Sequence, residues 1–165
     1  MVAVQYAKAH GGQVIGVDGG SQKEAFVKEI GAQEYIDFKT TDVVQEVTKI
    51  TKGGANAVIV TAGSVKAFTQ AADMLRVGGT LSCVGIPPEK GFVETPISRI
   101  VIKGLHITGN LVGSLKECLE AVDFVRRGDV KPKVTIRDFL ELPKVYQELE
   151  AGDISGRIVL RVAKD

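Results

Sequence analysis

Val14-Ile15-Gly16-Val17-Asp18-Gly19-Gly20, followed three residues later by Lys23, decides how this chain is read. A short apolar run stops at a carboxylate, turns on two glycines and enters a helical pattern. The second strand of a nucleotide-binding α/β sheet ends in this way, and its acid accepts hydrogen bonds from the two vicinal hydroxyls of an adenosine ribose. The competing reading of Asp18 is a helix N-cap or a turn residue. Lys23 is placed either to reach a ribose hydroxyl or to sit in solvent on the helix surface. An acid at position 18 favours NAD over NADP, because a 2′-phosphate there meets like charge.

Outward from this stretch, strands alternate with helices. Val2–Ala9 reads as a helix able to bury one face through Val4, Tyr6, Ala7 and their neighbours, and it closes on Gly11-Gly12; with no cap or strand before it, it looks cut into. The strand at 13–18 leads to a helix over 22–30, a strand at Glu34–Asp37 and a helix at Val43–Thr51. Residues 57–61 form a continuous apolar strand, the pattern of a strand covered on both faces. A helix over 65–75 is closed by Gly78-Gly79, and a second buried strand follows at 80–84. Residues 91–98 read as extended, 99–103 as a short helix or strand, 105–109 as a strand and Leu115–Arg127 as an amphipathic helix. This alternation is that of an α/β, doubly wound parallel sheet. After Gly128 the style changes: a strand-like piece at 131–136 containing Pro132, a helix at Leu142–Ala151, and an antiparallel or half-exposed strand at 157–162. This tail is expected to return to another layer.

The bulk numbers narrow the function class. The 165 residues suffice for one domain with a real core. Lys and Arg total 21 against 20 acids, so charge gives no reason to expect nucleic acid or an anionic membrane as partner. No apolar run approaches the roughly 20 residues of a membrane span, and the N-terminus lacks a signal-peptide layout. Cys83 and Cys118 are far apart, so a reducing, cytoplasmic setting is expected rather than a disulfide framework.

The other strand ends point toward the same kind of cleft. Thr61-Ala62-Gly63, Val84-Gly85-Ile86 and Asn110-Leu111-Val112 each follow an apolar strand, and small or apolar residues there let a flat ring or a ribose approach. Each by itself is also ordinary strand-to-loop chemistry. Arg157, beside Gly156, is either a pyrophosphate clamp or a surface ion-pair partner. Catalytic groups are absent from the pattern. His10 and His106 pair with neither cysteine at metal-ligand spacing, and no serine sits on a nucleophile elbow.

The residues also carry a family resemblance. Val4–Ala9, Val17–Lys23, Tyr35–Phe38, Gly53–Val60, Val84–Pro87 and Gly156–Leu160 resemble the coenzyme half of fungal zinc-dependent alcohol dehydrogenases, in the medium-chain dehydrogenase/reductase superfamily. The resemblance runs the whole chain in order. It implies a Rossmann-like sheet and oxidation of primary alcohols, or reduction of aldehydes, with NAD. It also implies roles by position. Asp18 binds the adenosine ribose, assisted by Lys23, and Phe38 lies by the adenine. Ala62, Ser64, Val84, Gly85, Ile86, Leu111 and Val112 line the nicotinamide side, and Arg157 meets the pyrophosphate. Ala62 stands where some relatives carry a hydroxyl residue.

In such enzymes the glycine-rich fingerprint ends immediately before the position of Met1, after the first strand, and both zinc sites lie further upstream. The resemblance therefore implies a truncated sheet, with the first strand and glycine-rich loop absent and zinc held in the parent enzyme only. Residues 1–130 are expected to form an incomplete NAD-binding domain, with 131–165 a tail that packs into the catalytic domain. Loss of the central strand separates the second and third strands from the fourth to sixth. Weak NAD binding, no alcohol turnover by the isolated chain, and a homo-oligomer through the 92–112 region or exposed strand edges are expected. Two further classes are a non-enzymatic nucleotide-binding or interaction module and a Rossmann-like methyltransferase, whose strand-end acid binds the ribose of S-adenosylmethionine.

Overall fold

Strands and helices alternate along residues 2–162, which the computed structural model describes. The order is α1 (Val2–Ala9), β1 (Ile15–Asp18), α2 (Glu24–Glu29), β2 (Glu34–Asp37), α3 (Val43–Thr51), β3 (Ala55–Val60) and α4 (Val65–Asp73). Then come β4 (Leu75–Cys83), α5 (Ile97–Lys103), β5 (His106–Gly109), α6 (Leu115–Arg127), β6 (Val134–Asp138), α7 (Leu142–Ala151) and β7 (Arg157–Arg161). A 3-10 turn at Ser21–Lys23 precedes α2, and another at Phe139–Glu141 precedes α7.

Among the described residues the strands make three separate sheets, β1-β2, β3-β4-β5 and β6-β7. In the second, β3 pairs β4 and β4 pairs β5, both parallel. The fold is α/β with parallel sheets, as the alternation predicts. Among the described residues no ladder joins β1-β2 to β3-β4-β5.

One compact unit comprises the described residues through Tyr35 and from Cys118 onward. Its α1 is tied to the segment after α6 by Gln5, whose amide donates to the Lys131 carbonyl at 3.1 Å and accepts from the Lys131 N–H at 2.6 Å. Gln5 is the buried residue of α1, while Val4, Tyr6 and Ala7 beside it are half-buried. A polar side chain tolerates that position because both ends of its amide are satisfied. Tyr6 meets Phe124 edge-on at 5.8 Å and donates to the Ala121 carbonyl. In the same unit β6, α7 and β7 form a βαβ element.

The second unit is Ile36–Glu117. Its core gathers on the central strand, where Leu75 and Leu81 are fully buried, and on α4, where Phe68, Ala71 and Ala72 are buried. Asp42 caps α3, accepting from the Gln45 N–H at 3.0 Å.

Several expectations need correction. The helix expected over 65–75 ends at Asp73, and Gly78-Gly79 do not close it; they lie inside β4. Leu75 is apolar at a helical spacing, but it pairs with Ala55, and the next partners are Ala57 and Thr80. That offset makes an irregularity that Gly78 accommodates at φ 72. The strand expected at 57–61 is observed as β3 at Ala55–Val60 and is not covered on both faces, Ile59 being half exposed. The short helix-or-strand piece is helix α5, starting at Ile97. The last strand is half exposed as expected, alternating along its length, but not antiparallel. It runs parallel to β6, Val134 opposite Arg157 and Ile136 opposite Val159, with α7 as the crossover that parallel pairing demands. β6 itself begins at Val134, beyond Pro132, which has no N–H to give a ladder.

Candidate functional site

The candidate residues fall into two groups, one on each compact unit. In the first, β1 ends at Asp18 and the chain turns through Gly19 and Gly20 into the 3-10 turn that carries Lys23. The Lys23 ammonium lies 2.9 Å from Asp18 Oδ1, and the Gly19 N–H donates to the same oxygen at 2.7 Å. Among the described residues Oδ2 has no partner, so the carboxylate is held by one oxygen and presents the other. Asp18 is not a helix N-cap. Gly20 occupies that position before the 3-10 turn, at φ 101, and Lys23 before α2, neither with a side-chain capping bond. Nor is Lys23 a free surface lysine. Its side chain is 29% exposed and paired.

Gly20 takes a backbone conformation that a side chain strains against. Its carbonyl accepts from the Lys23 N–H at 3.1 Å and from the Tyr35 hydroxyl at 2.8 Å. Sequence reasoning passed over Tyr35 as a site residue. The available signal was a phenol on the strand that neighbours β1, close to the turn. Arg157 opens β7, in a different sheet from β1, and its N–H donates to the Lys133 carbonyl at 2.9 Å. Its guanidinium makes no ion pair among the described residues.

The second unit carries the remaining candidates. Phe38 follows β2 and is exposed. Ala62 and Ser64 lie between β3 and α4, with Ser64 at the N-cap of α4 but without a side-chain capping bond. Val84, Gly85 and Ile86 follow β4, and Leu111 and Val112 follow β5, the last 87% exposed. The carboxyl ends of β3, β4 and β5 are bound together. The Val84 and Gly85 N–H groups both donate to the Val60 carbonyl, at 3.0 and 2.9 Å, and Asn110 N–H donates to the Cys83 carbonyl at 2.8 Å. Asn110 also donates its side-chain amide to Ser82 Oγ at 3.0 Å, a tie that sequence reading missed.

Glycine sets the spacing of these ends. A Cβ on Gly85 falls 2.8 Å from the carbonyl carbons of both Thr61 and Ala62, inside van der Waals contact. On the α4 side of this strand end lies a cavity of about 180 Å³, lined by Val65, Phe68, Cys83, Pro87, Phe92 and Val93 among others. Burial there pushes the Cys83 thiol above its ordinary value. No group of three or more His, Cys, Asp or Glu among the described residues is placed to hold a metal ion, so zinc does not fit here. The open carboxylate oxygen of Asp18 beside the Lys23 ammonium has the hydrogen-bonding chemistry that a ribose diol takes.

The family pattern of zinc-binding dehydrogenases matches residues 1–127. The chain belongs to the zinc-binding dehydrogenase family. Among curated members it is 39% identical over 164 residues to alcohol dehydrogenase 1 of Emericella nidulans, covering 98% of this chain and 47% of that protein. To alcohol dehydrogenase 1 of Neurospora crassa it is 40% identical over 166 residues, covering 99% and 47%. The chain thus spans about half the length of the curated relatives it matches. Among solved structures, the alcohol dehydrogenase of Aeropyrum pernix superposes with a TM-score of 0.87 at 29% identity, covering 96% of this chain and 46% of that one. Benzyl alcohol dehydrogenase of Acinetobacter calcoaceticus also gives 0.87, at 26% identity and the same coverages. This zinc-binding dehydrogenase chain corresponds to the Rossmann-like coenzyme-binding half of those enzymes.

Proposed function

We propose that this chain is the coenzyme-binding portion of an NAD-dependent alcohol dehydrogenase that converts primary alcohols to aldehydes. The observation that carries the reading is Asp18 at the end of β1, held through Oδ1 by Lys23 and Gly19 with Oδ2 open. That oxygen and the Lys23 ammonium receive the adenosine ribose diol, and a 2′-phosphate is disfavoured by the carboxylate's charge. Phe38 lies by the adenine, and Arg157 meets the pyrophosphate. Ala62, Ser64, Val84, Gly85, Ile86, Leu111 and Val112 form the nicotinamide side. Bound NAD supplies the hydride acceptor; these residues orient it and supply no proton relay. Zinc and the alcohol pocket belong to the rest of the enzyme.

Residues 1–130 form the NAD-binding domain, and the tail from 131 packs against the catalytic part. The apolar face of β6–β7 supports that packing: Val134, Ile136 and Val159 are all exposed, and parallel strands ordinarily have both faces covered. The 92–112 region joins copies of the enzyme into a homo-oligomer, and the setting is cytoplasmic. No helix of the described residues is long and apolar enough to cross a membrane.

Calorimetric titration of the chain tests the reading. We expect weak heat with NAD, lost in Asp18→Ala, and none with S-adenosylmethionine. A response to S-adenosylmethionine without one to NAD overturns the proposal in favour of a methyltransferase. Tight NAD binding lost in Asp18→Ala favours a stand-alone nucleotide-binding module. Zinc- and ethanol-dependent NADH production is expected to be absent from the pure chain, and its appearance overturns the division of labour proposed above.

A further inference from the structure

We infer that Tyr35 is a positioning residue for ribose recognition, acting through the Gly20 carbonyl. The inference rests on the reading of Asp18 as the ribose acceptor and deepens it.

The turn between β1 and α2 must hold two charged groups in a fixed relation, yet it is built from Gly19 and Gly20, the least restrained of residues. Three hydrogen bonds and an ion pair close it. Gly19 N–H and Lys23 Nζ meet on Asp18 Oδ1, at 2.7 and 2.9 Å, and the Lys23 N–H returns to the Gly20 carbonyl at 3.1 Å. The Tyr35 hydroxyl completes the set, donating to that same carbonyl at 2.8 Å from 15 residues away. It is the bond in this set that ties the turn to another strand. The phenol is half-buried, so its ring is held by packing while its oxygen reaches the turn. With the Gly20 carbonyl pinned, the start of the 3-10 turn is pinned, and so is Lys23 over Asp18. Oδ2 then faces outward in one orientation. Without the phenol oxygen the carbonyl keeps only its local partner, and the carboxylate samples orientations that suit a ribose diol less well. Tyr35 touches no part of the diol in this account.

The test is an NMR titration of the 165-residue chain with AMP and with 2′-deoxy-AMP, on wild type, Asp18→Asn and Tyr35→Phe. Thermal melts followed by circular dichroism confirm that each variant is folded. Amide exchange at Gly19 and Lys23 is measured in parallel. Tyr35→Phe removes a single oxygen and keeps the ring. We expect wild type to prefer AMP, Asp18→Asn to lose the preference, and Tyr35→Phe to reduce it by roughly fivefold, the worth of one ordinary hydrogen bond. We also expect faster exchange at both amides. A purely structural role lowers the melting temperature and leaves the ratio of the two ligands unchanged. That ratio unchanged in Tyr35→Phe, with the preference lost in Asp18→Asn, overturns the Tyr35 assignment alone. No preference in wild type, or one that survives in Asp18→Asn, overturns the ribose reading and the Tyr35 assignment with it.

Discussion

At Gly85 there is no room for a side chain. Its Cβ position lies 2.8 Å from the carbonyl carbons of Thr61 and Ala62, and backbone so placed cannot give way cheaply. We expect Gly85→Ala to lose about 1–3 kcal/mol, as overpacked sites do, measured by urea unfolding. Gly109 is the control, since nothing lies within 4 Å of its Cβ position and alanine there is expected to be neutral or mildly stabilising. Equal losses at the two positions overturn the steric account. The cysteines separate on similar grounds. Cys83 is half-buried with its thiol pushed upward by desolvation, whereas Cys118 is exposed. The thiolate is the reactive form. Iodoacetamide at neutral pH is therefore expected to label Cys118 first, by mass spectrometry, with Cys83 following at higher pH or on unfolding. Asp18 was legible as a strand-end acid from its own neighbours. Its pairing with Lys23 was open, because position along the chain says which residues are near and not which way their side chains turn.

Among the elements, α6 shows how local signals determine a boundary. Ser114 N–H donates to Glu117 Oε2 at 2.6 Å, and Glu117 N–H donates to Ser114 Oγ at 3.3 Å, a reciprocal capping box. The Ser114 N–H bond foremost, and the Ser114 hydroxyl after it, hold the Glu117 carboxyl below its ordinary value. A lowered folded-state value means the carboxylate stabilises the helix end above the ordinary glutamate range. That contribution fades as pH falls through the lowered value. We expect acidification to weaken α6, read by circular dichroism, and Glu117→Gln to remove that part of the pH dependence. Ser114→Ala is expected to cost about 1 kcal/mol near neutral pH. The bounds of α1, β2, α3, α6 and α7 agree with their sequence patterns because glycines and caps punctuate them. The α4–β4 junction does not. Leu75 continues the apolar pattern of the helix, and only its pairing with Ala55 makes it strand.

For the whole molecule, the exposed apolar surface of the second unit has the largest consequence. Phe92, Ile97, Val101, Ile102, Leu111 and Val112 are each more than two-thirds exposed, within one stretch of chain. Exposed apolar residues gathered in one stretch support the proposal that copies of the chain associate there. We expect sedimentation velocity to show concentration-dependent association of the chain, reduced in Ile102→Glu, whose side chain sits at a position 80% exposed on α5. A concentration-independent monomer, or association unaffected by Ile102→Glu, overturns the placement of the oligomer seam.

By itself the sequence determined the alternation of strands and helices, the acid at the end of β1 and the family. These rest on local periodicity, glycine punctuation and residue identity, which are properties of neighbours along the chain. Tertiary structure decided which strands share a sheet, that β7 runs parallel to β6, and that Gln5 is the buried residue of α1. It also decided that Tyr35 reaches the Gly20 carbonyl. Each of these depends on partners distant in sequence, because pairing and burial are settled by packing between segments and by where each polar group finds its bond.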